Sequence, residues 1–241
     1  MARIVTACNS QYLGRIMPYL DSLKVHSSLP VTLITVGFKA SLPGVECIEL
    51  PRSMNQGSPL ETESPQHGSF LQVLDGPDDE TIIFTDGDII MQRPITDDEL
   101  AWIAEQPENC VDAGYNSGPL ETLADEAKRL FPRFTIDEIG ARFGLMDRSC
   151  YNIGVFIARR STYKRIYAEY MKYWQLASEA FGGPARQQWL VIHAIHRIGV
   201  RIRTMQYTFH ANGHYGMPAG CEYRNDLVYS GSEVVCFRHK L

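Results

Sequence analysis

Two carboxylates flanking a single glycine, Asp86-Gly87-Asp88, are the residues in this chain best suited to chemistry. They follow the apolar run Thr81-Ile82-Ile83-Phe84-Thr85 and precede Ile89-Ile90-Met91. Carboxylates at i and i+2 converge on one hard cation where the chain turns, and a glycine between them permits the turn and close approach of backbone to a ligand. Mg²⁺ and Mn²⁺ favour oxygen ligands and commonly bridge protein carboxylates to substrate phosphates. A solvated Asp-Gly turn is the plainer reading, since that dipeptide is a common hairpin signal. The apolar runs on both sides favour a metal–diphosphate site.

Other side chains invite chemistry less strongly. His193 and His196 lie three apart on an expected helix, and His210 and His214 four apart in a Gly-rich stretch. Such a set is able to bind zinc in principle, but no cysteine or carboxylate accompanies either pair at motif spacing. Packing of His193 or His196 at a helix surface is the expectation. Tyr163, Tyr167, Tyr170, Tyr173 and Trp174 recur at three- and four-residue spacing, which ordinary core packing produces. Asp97-Asp98-Glu99 reads as a helix start, where negative charge complements the dipole.

The elements that must position these groups alternate in type. Arg3–Cys8, Val31–Val36 and Val45–Leu50 read as strands, with Tyr12, Leu13, Ile16, Met17, Leu20 and Leu23 at helical spacing between the first two. Pro51–Pro65 suits a loop and His67–Leu74 a helix, before the buried central strand at Thr81. Further on, Asp98–Gln106 and Leu120–Phe131 look helical, with a strand over Asn109–Tyr115 between them. Tyr151–Ala158 is a strand, Ser161 suits the N-cap of a helix reaching Phe181, and Pro184 opens a helix ending at Gly199. Val200–Thr208 reads as one or two strands, His210–Tyr229 as loop, and Val234–Phe237 as a last strand. This order implies an α/β fold, a parallel sheet with helices on its faces, in one continuous domain. Ligands in such sheets bind at the carboxyl ends of strands, where Asp86-Gly87-Asp88 lies.

Composition narrows the function classes. Of 241 residues, 44% are hydrophobic and 21% charged, an ordinary globular balance. The net charge of −5 disfavours a general nucleic-acid-coating role and a peripheral binder of anionic lipid. No run approaches the length of a membrane span, and Met1–Ser10 lacks the pattern of a secretory signal. The six cysteines form no C-x-x-C and are expected to be buried apolar residues in a reducing, cytoplasmic setting.

Taken in order along the chain, four segments resemble the GT-A-fold glycosyltransferases, most closely the family 8 type. Ile82–Ile89 is similar to their D-x-D segment, where an aspartate pair holds a divalent metal on the diphosphate of a nucleotide sugar. Ile4-Val5-Thr6-Ala7-Cys8-Asn9, followed by Tyr12, resembles the first strand and loop that hold the nucleotide. Tyr151-Asn152-Ile153-Gly154-Val155-Phe156 resembles the N-x-G-V strand that contacts the donor sugar. Val234–Lys240 resembles the C-terminal segment that supplies a histidine ligand. There are departures. Arg186 stands where the family's Asp-Gln pair has its acid, before Gln187. Cys236 stands where the family's histidine sits, with His239 three residues later, and the K-P-W ending is absent, which leaves Lys240 for the phosphates.

The resemblance implies a Rossmann-like mixed, mostly parallel central sheet flanked by helices. Residues 1–91 would be the nucleotide-binding half and 92–241 the donor-sugar and acceptor half. It further implies transfer of a sugar from a UDP-sugar to an acceptor hydroxyl with retention of configuration. Mn²⁺ (or Mg²⁺) would be held by Asp86, Asp88 and His239. Ala7, Cys8, Asn9, Tyr12, His67, Gly87 and Lys240 would face the nucleotide, while Asn152, Gly154 and Gln187 would position the sugar. Asp112 (or Asp147) is a candidate base for an inverting variant, and His210, Asn212 and His214 are candidates for the acceptor side. Two competitors remain: a non-catalytic nucleotide-sugar or glycan-binding module on the same fold, and a haloacid-dehalogenase-type phosphatase, which also uses D-x-D after an apolar strand.

Overall fold

A computed structural model describes residues 1–50, 75–114, 121–181, 187–213 and 217–239. The central sheet starts from β1 (Ala2–Asn9), whose run of apolar side chains is buried on both faces. β1 lies between β2 (Val31–Val36) and β4 (Thr81–Thr85), parallel to both, and β3 (Glu46–Leu50) extends the β2 side. Beyond β4 come β7 (Asn152–Arg159), β6 (Cys110–Gly114) and β8 (Arg201–Thr204), giving the order β3-β2-β1-β4-β7-β6-β8. β7 runs antiparallel to β4 and β6, while β6 and β8 are parallel, so the sheet is mixed and mostly parallel.

Helices cover both faces, which explains why the central strands read as continuous apolar runs. On one face, α1 (Leu13–His26) and α2 (Asp97–Ala104) pack Ile16, Tyr19, Leu20 and Ile103 over Ile4, Leu33, Ile83 and Ile157. On the other, α3 (Leu123–Leu130), α4 (Ile136–Phe143), α5 (Arg160–Phe181) and α6 (Gln187–Arg197) enclose Val5, Ile34, Ile82, Phe84 and Phe156. Tyr163 and Tyr170 of α5 are fully buried there, as the core reading of that aromatic series expects.

Two small sheets complete the described chain. β5 (Ile89–Met91), β13 (Phe237–His239) and β9 (His210–Asn212) form one, in the order β5-β13-β9. β10 (Cys221–Arg224), β11 (Leu227–Ser230) and β12 (Glu233–Val234) form the other.

Several sequence expectations are corrected. The stretch 210–229 is not loop but carries three strands, β10 and β11 being joined by Asn225 and Asp226, both at positive φ. The last strand is displaced: Val235 and Cys236 lie between β12 and β13 rather than inside one strand. α4 was not expected, although Thr135 and Glu138 form a complete capping box at its start, and Thr122 and Asp125 do the same for α3. Ser161 lies inside α5, which follows β7 directly, and so does not cap it.

Candidate functional site

The chain's chemistry gathers where strand order reverses. β1, β2 and β3 build outward in one direction, and β4 returns to the other side of β1. The carboxyl ends of β1 and β4 thus flank a topological switch point, the usual ligand crevice of such sheets. Asp86 follows β4 there, and because β7 is reversed, its first residues reach the same edge.

Asp86, Asp88 and His239 converge at this edge, each offering a ligand atom within 4.8 Å of the others. His239 Nε2 lies 3.0 Å from Asp88 Oδ1 and 3.8 Å from Asp86 Oδ2. The convergence follows from strand pairing. β13 runs antiparallel to β5, which sets His239 opposite Ile89, the residue after Asp88. Asp86 is nearly buried and His239 fully so, whereas Asp88 faces solvent. Two carboxylates and an imidazole are a donor set suited to a divalent first-row cation.

The seat of His239 is built by Gly154. A Cβ at residue 154 would stand 2.5 Å from His239 Cε1 and 2.6 Å from Nδ1, so only glycine leaves room for the ring. The Gly154 carbonyl accepts the Asp86 N–H at 2.7 Å, and the Gly154 N–H donates to Asn152 Oδ1 at 2.8 Å. Asn152 and Gly154, read in the sequence as sugar contacts, therefore shape the carboxylate–histidine cluster itself. Gly87 is a milder case: its Cβ would stand 3.0 Å from the Ile16 side chain on α1, which would have to shift by a few tenths of an ångström.

A double staple holds β13 in place, and nothing in the sequence pattern marked it. The buried Gln92 side chain donates to the Val235 carbonyl at 2.9 Å and accepts the Val228 N–H at 3.0 Å. Arg93 donates to the Val234 carbonyl at 2.7 Å and the Thr208 carbonyl at 2.9 Å while paired with Glu99. These two residues directly follow β5 and tie the C-terminal segment to the strand after the aspartates.

The remaining candidates are placed as follows. Ala7 and Cys8 are buried at the end of β1, and burial pushes the Cys8 thiol up to about 12. Asn9 Oδ1 accepts the Tyr12 N–H at 3.0 Å, bracing the entry to α1, and Arg15 stacks over the Tyr12 ring. Cys236 is buried with its Sγ toward the Arg93 carbonyl, and burial raises its pKa, so His239 rather than Cys236 meets the aspartates. His210 is buried (4% exposed) and stacked on His239, with ring centroids 5.9 Å apart. Burial holds it neutral, with its pKa down at about 3, so His210 backs the cluster instead of lining an open acceptor wall.

Asp112 stands apart from the cluster. It pairs with Ile157, itself opposite Ile83 and three residues short of Asp86, and its carboxylate is bound to Arg203 at 2.7 and 2.9 Å. Burial raises its pKa despite that ion pair. Of the two helix histidines, His196 is the one at the surface, donating from Nε2 to the Ser149 carbonyl at 2.8 Å, while His193 is core, stacked on Trp189 and donating from Nε2 to the Phe143 carbonyl at 2.9 Å. His193 and His210 thus belong to different parts of the molecule, and the pairs do not assemble a zinc site among the described residues. His67, His214 and Lys240 lie outside the described residues, as does the side chain of Gln187.

No family model and no curated protein matches the sequence. Solved structures share its architecture, two of them forms of one enzyme. One is the galactosyltransferase LgtC in complex with donor and acceptor sugar analogues, at a TM-score of 0.62 and 13% identity, covering 99% of this chain and 86% of that one. The other is an active-site mutant of LgtC, at a TM-score of 0.63 with the same identity and coverage. The chain has the GT-A fold. Within that fold, Asp86 follows the fourth strand at the switch point rather than an amino-terminal strand, which removes the ground for the haloacid-dehalogenase alternative.

Proposed function

We propose that this chain is a metal-dependent glycosyltransferase of the family 8 type, moving a sugar from a UDP-sugar to an acceptor hydroxyl with retention of configuration. The observation that carries this reading is the convergence of Asp86, Asp88 and His239 at the switch point of the sheet. The likeness to LgtC, whose structure holds donor and acceptor sugar analogues, supports it.

On this reading the three residues hold the cation, and the mixed nitrogen and oxygen set favours Mn²⁺ over Mg²⁺. A cation held by these residues would supply Lewis-acid stabilisation of the leaving diphosphate. Residues 1–91 serve the nucleotide: the backbone of Cys8 and Asn9 reads the base edge, Tyr12 covers the base, Ala7 and His67 stand on the nucleotide side, and from the other half Lys240 serves the phosphates. Residues 92–241 serve the sugar and acceptor, with Asn152 and Gln187 orienting the transferred sugar beside Gly154. None of the described helices is long and apolar enough to cross a membrane, and none of the six cysteines is in a disulfide. A cytoplasmic setting accords with the free thiols.

A thermal-shift panel of UDP, GDP, ADP and dTDP with their sugars, in Mn²⁺ and again in EDTA, tests the reading. Ligand at 100 times its Kd stabilises by about 2.7 kcal/mol, and each kcal/mol moves the midpoint of a chain this size by about 2–4 °C. The expected result is a shift of several degrees with the uridine compounds, lost in EDTA and in Asp88→Asn. No shift with any nucleotide at saturating concentration overturns the proposal. A shift without turnover on any acceptor favours a binding module on the same fold.

A further inference from the structure

A cavity of about 400 Å³ lies between α2 and the 203–209 segment. Its apolar wall is aromatic. Trp102 meets the buried Phe209 edge-on, with ring centroids 5.3 Å apart at 75°. Phe209 packs against Phe237 at the same centroid distance, and Phe237 belongs to the strand that carries His239. The aromatic wall is thus backed by the strand that carries His239, while none of Asp86, Asp88 and His239 lines the cavity.

Its polar wall is fixed and charge-balanced. Arg203 binds both oxygens of Asp112 and also donates from Nη2 to Gln106 Oε1 at 2.8 Å. Among the described residues, the remaining guanidinium nitrogen, Nη1, donates to no protein group. Thr204, Gln206 and Thr208 add hydroxyl and amide groups, and Asp98 adds a solvent-facing carboxylate. Glu99 is already neutralised by Arg93.

This combination selects a ligand class. An anion finds no uncompensated positive charge, since Arg203 is cancelled by Asp112 and Asp98 adds a negative one. A purely apolar ligand would strip water from Nη1 and the rim groups without replacing their hydrogen bonds. A neutral polyhydroxylated ring satisfies both walls: its C–H face lies on the indole, and its hydroxyls accept from Nη1 and Gln206 and donate to Asp98. The volume falls within the range of small-molecule sites, and the Arg203–Asp112 pair and the Trp102–Phe209 contact preorganise both walls.

We propose that this cavity is a second carbohydrate site, distinct from the nucleotide-sugar site, that takes one neutral pyranose unit. It needs neither metal nor nucleotide, so it does not rest on the transferase reading.

The test is an NMR titration of the full chain in EDTA, without nucleotide, using the methyl glycosides of glucose, galactose, mannose and N-acetylglucosamine. The probe is the Trp102 indole N–H resonance, assigned by its loss in Trp102→Phe. The expected result is a saturable shift with at least one glycoside, with binding about fivefold weaker in Gln206→Ala, where one hydrogen bond is lost. Gln206 and Thr204 are exposed, so their alanine variants keep the fold and the test does not depend on truncating Trp102. No saturable shift with any glycoside overturns the proposal. So does a shift that neither Gln206→Ala nor Thr204→Ala weakens, or a response to choline alone, which would mark an aromatic–acidic cation site. A negative nucleotide panel in Mn²⁺ leaves this result untouched.

Discussion

A single missing side chain decides whether His239 reaches the aspartates. Gly154 offers its backbone to Asp86 and its empty Cβ position to the imidazole. Gly154→Ala is expected to push the ring away and weaken Mn²⁺ binding at least about tenfold, a change worth about 1.4 kcal/mol. Overpacking itself costs about 1–3 kcal/mol of stability. Titration of Mn²⁺ followed by electron paramagnetic resonance, beside a urea melt, separates the two effects, and unchanged affinity would refute the seat. The aspartates were legible in the sequence because their chemistry is local: two acids, one glycine and an apolar strand within eight residues. His239 was reached only through resemblance, since nothing in its own neighbourhood says that β13 lies beside β5. Asn152 and Gly154 were noticed as a motif, but their hold on each other, on Asp86 and on His239 depends on contacts across the sheet.

Elements were legible where periodicity was strong and less so where turn chemistry carried the signal. The strands Ala2–Asn9, Val31–Val36 and Thr81–Thr85 and the helix Leu13–His26 read correctly because each is an apolar run with one period, whereas β5 was missed for its shortness and the helix expected at 67–74 lies outside the described residues. The β10–β11 hairpin was passed over because its strands are short and half-exposed, although Asn225 and Asp226 are residue types that tolerate positive φ at a tight turn. The staple formed by Gln92 and Arg93 left no sequence trace, because its partners are backbone atoms more than a hundred residues away. Gln92→Ala leaves the Val228 N–H and Val235 carbonyl without that partner in a buried site, a loss of about 1–3 kcal/mol. The variant is expected to lower the urea midpoint and, by loosening β13, to weaken Mn²⁺ binding several-fold. Gln92→Glu, which sets a buried carboxylate against the Val235 carbonyl, should recover neither at neutral pH. Equal Mn²⁺ affinity in Gln92→Ala and the parent would show that the staple serves stability alone.

The whole molecule stores an acid-sensitive term in its core. His193 is buried between Trp189 and Tyr173, and burial pulls its pKa from 6.5 down to about 4. Between those values the unfolded chain binds the proton more tightly, so unfolding is favoured as pH falls. The stability from neutral His193 is complete above about pH 6.5 and is lost as pH drops toward 4, by about 3 kcal/mol. Denaturant midpoints at pH 7.5 and pH 4.5 should differ accordingly, with a smaller difference in His193→Gln; an identical pH slope in that variant would assign the effect elsewhere. At this scale the reversed strand β7 has a further consequence. Because β6 and β7 are antiparallel, the connection between them leaves and re-enters the sheet at the edge that holds the candidate site. Lengthening such a connection costs little, since closure entropy grows only slowly with length. The turns between α3, α4 and β7 are therefore places where an insertion can add recognition beside the reactive centre without moving any strand that holds it, while Leu123, Ala127, Ile139 and Phe143 keep the core.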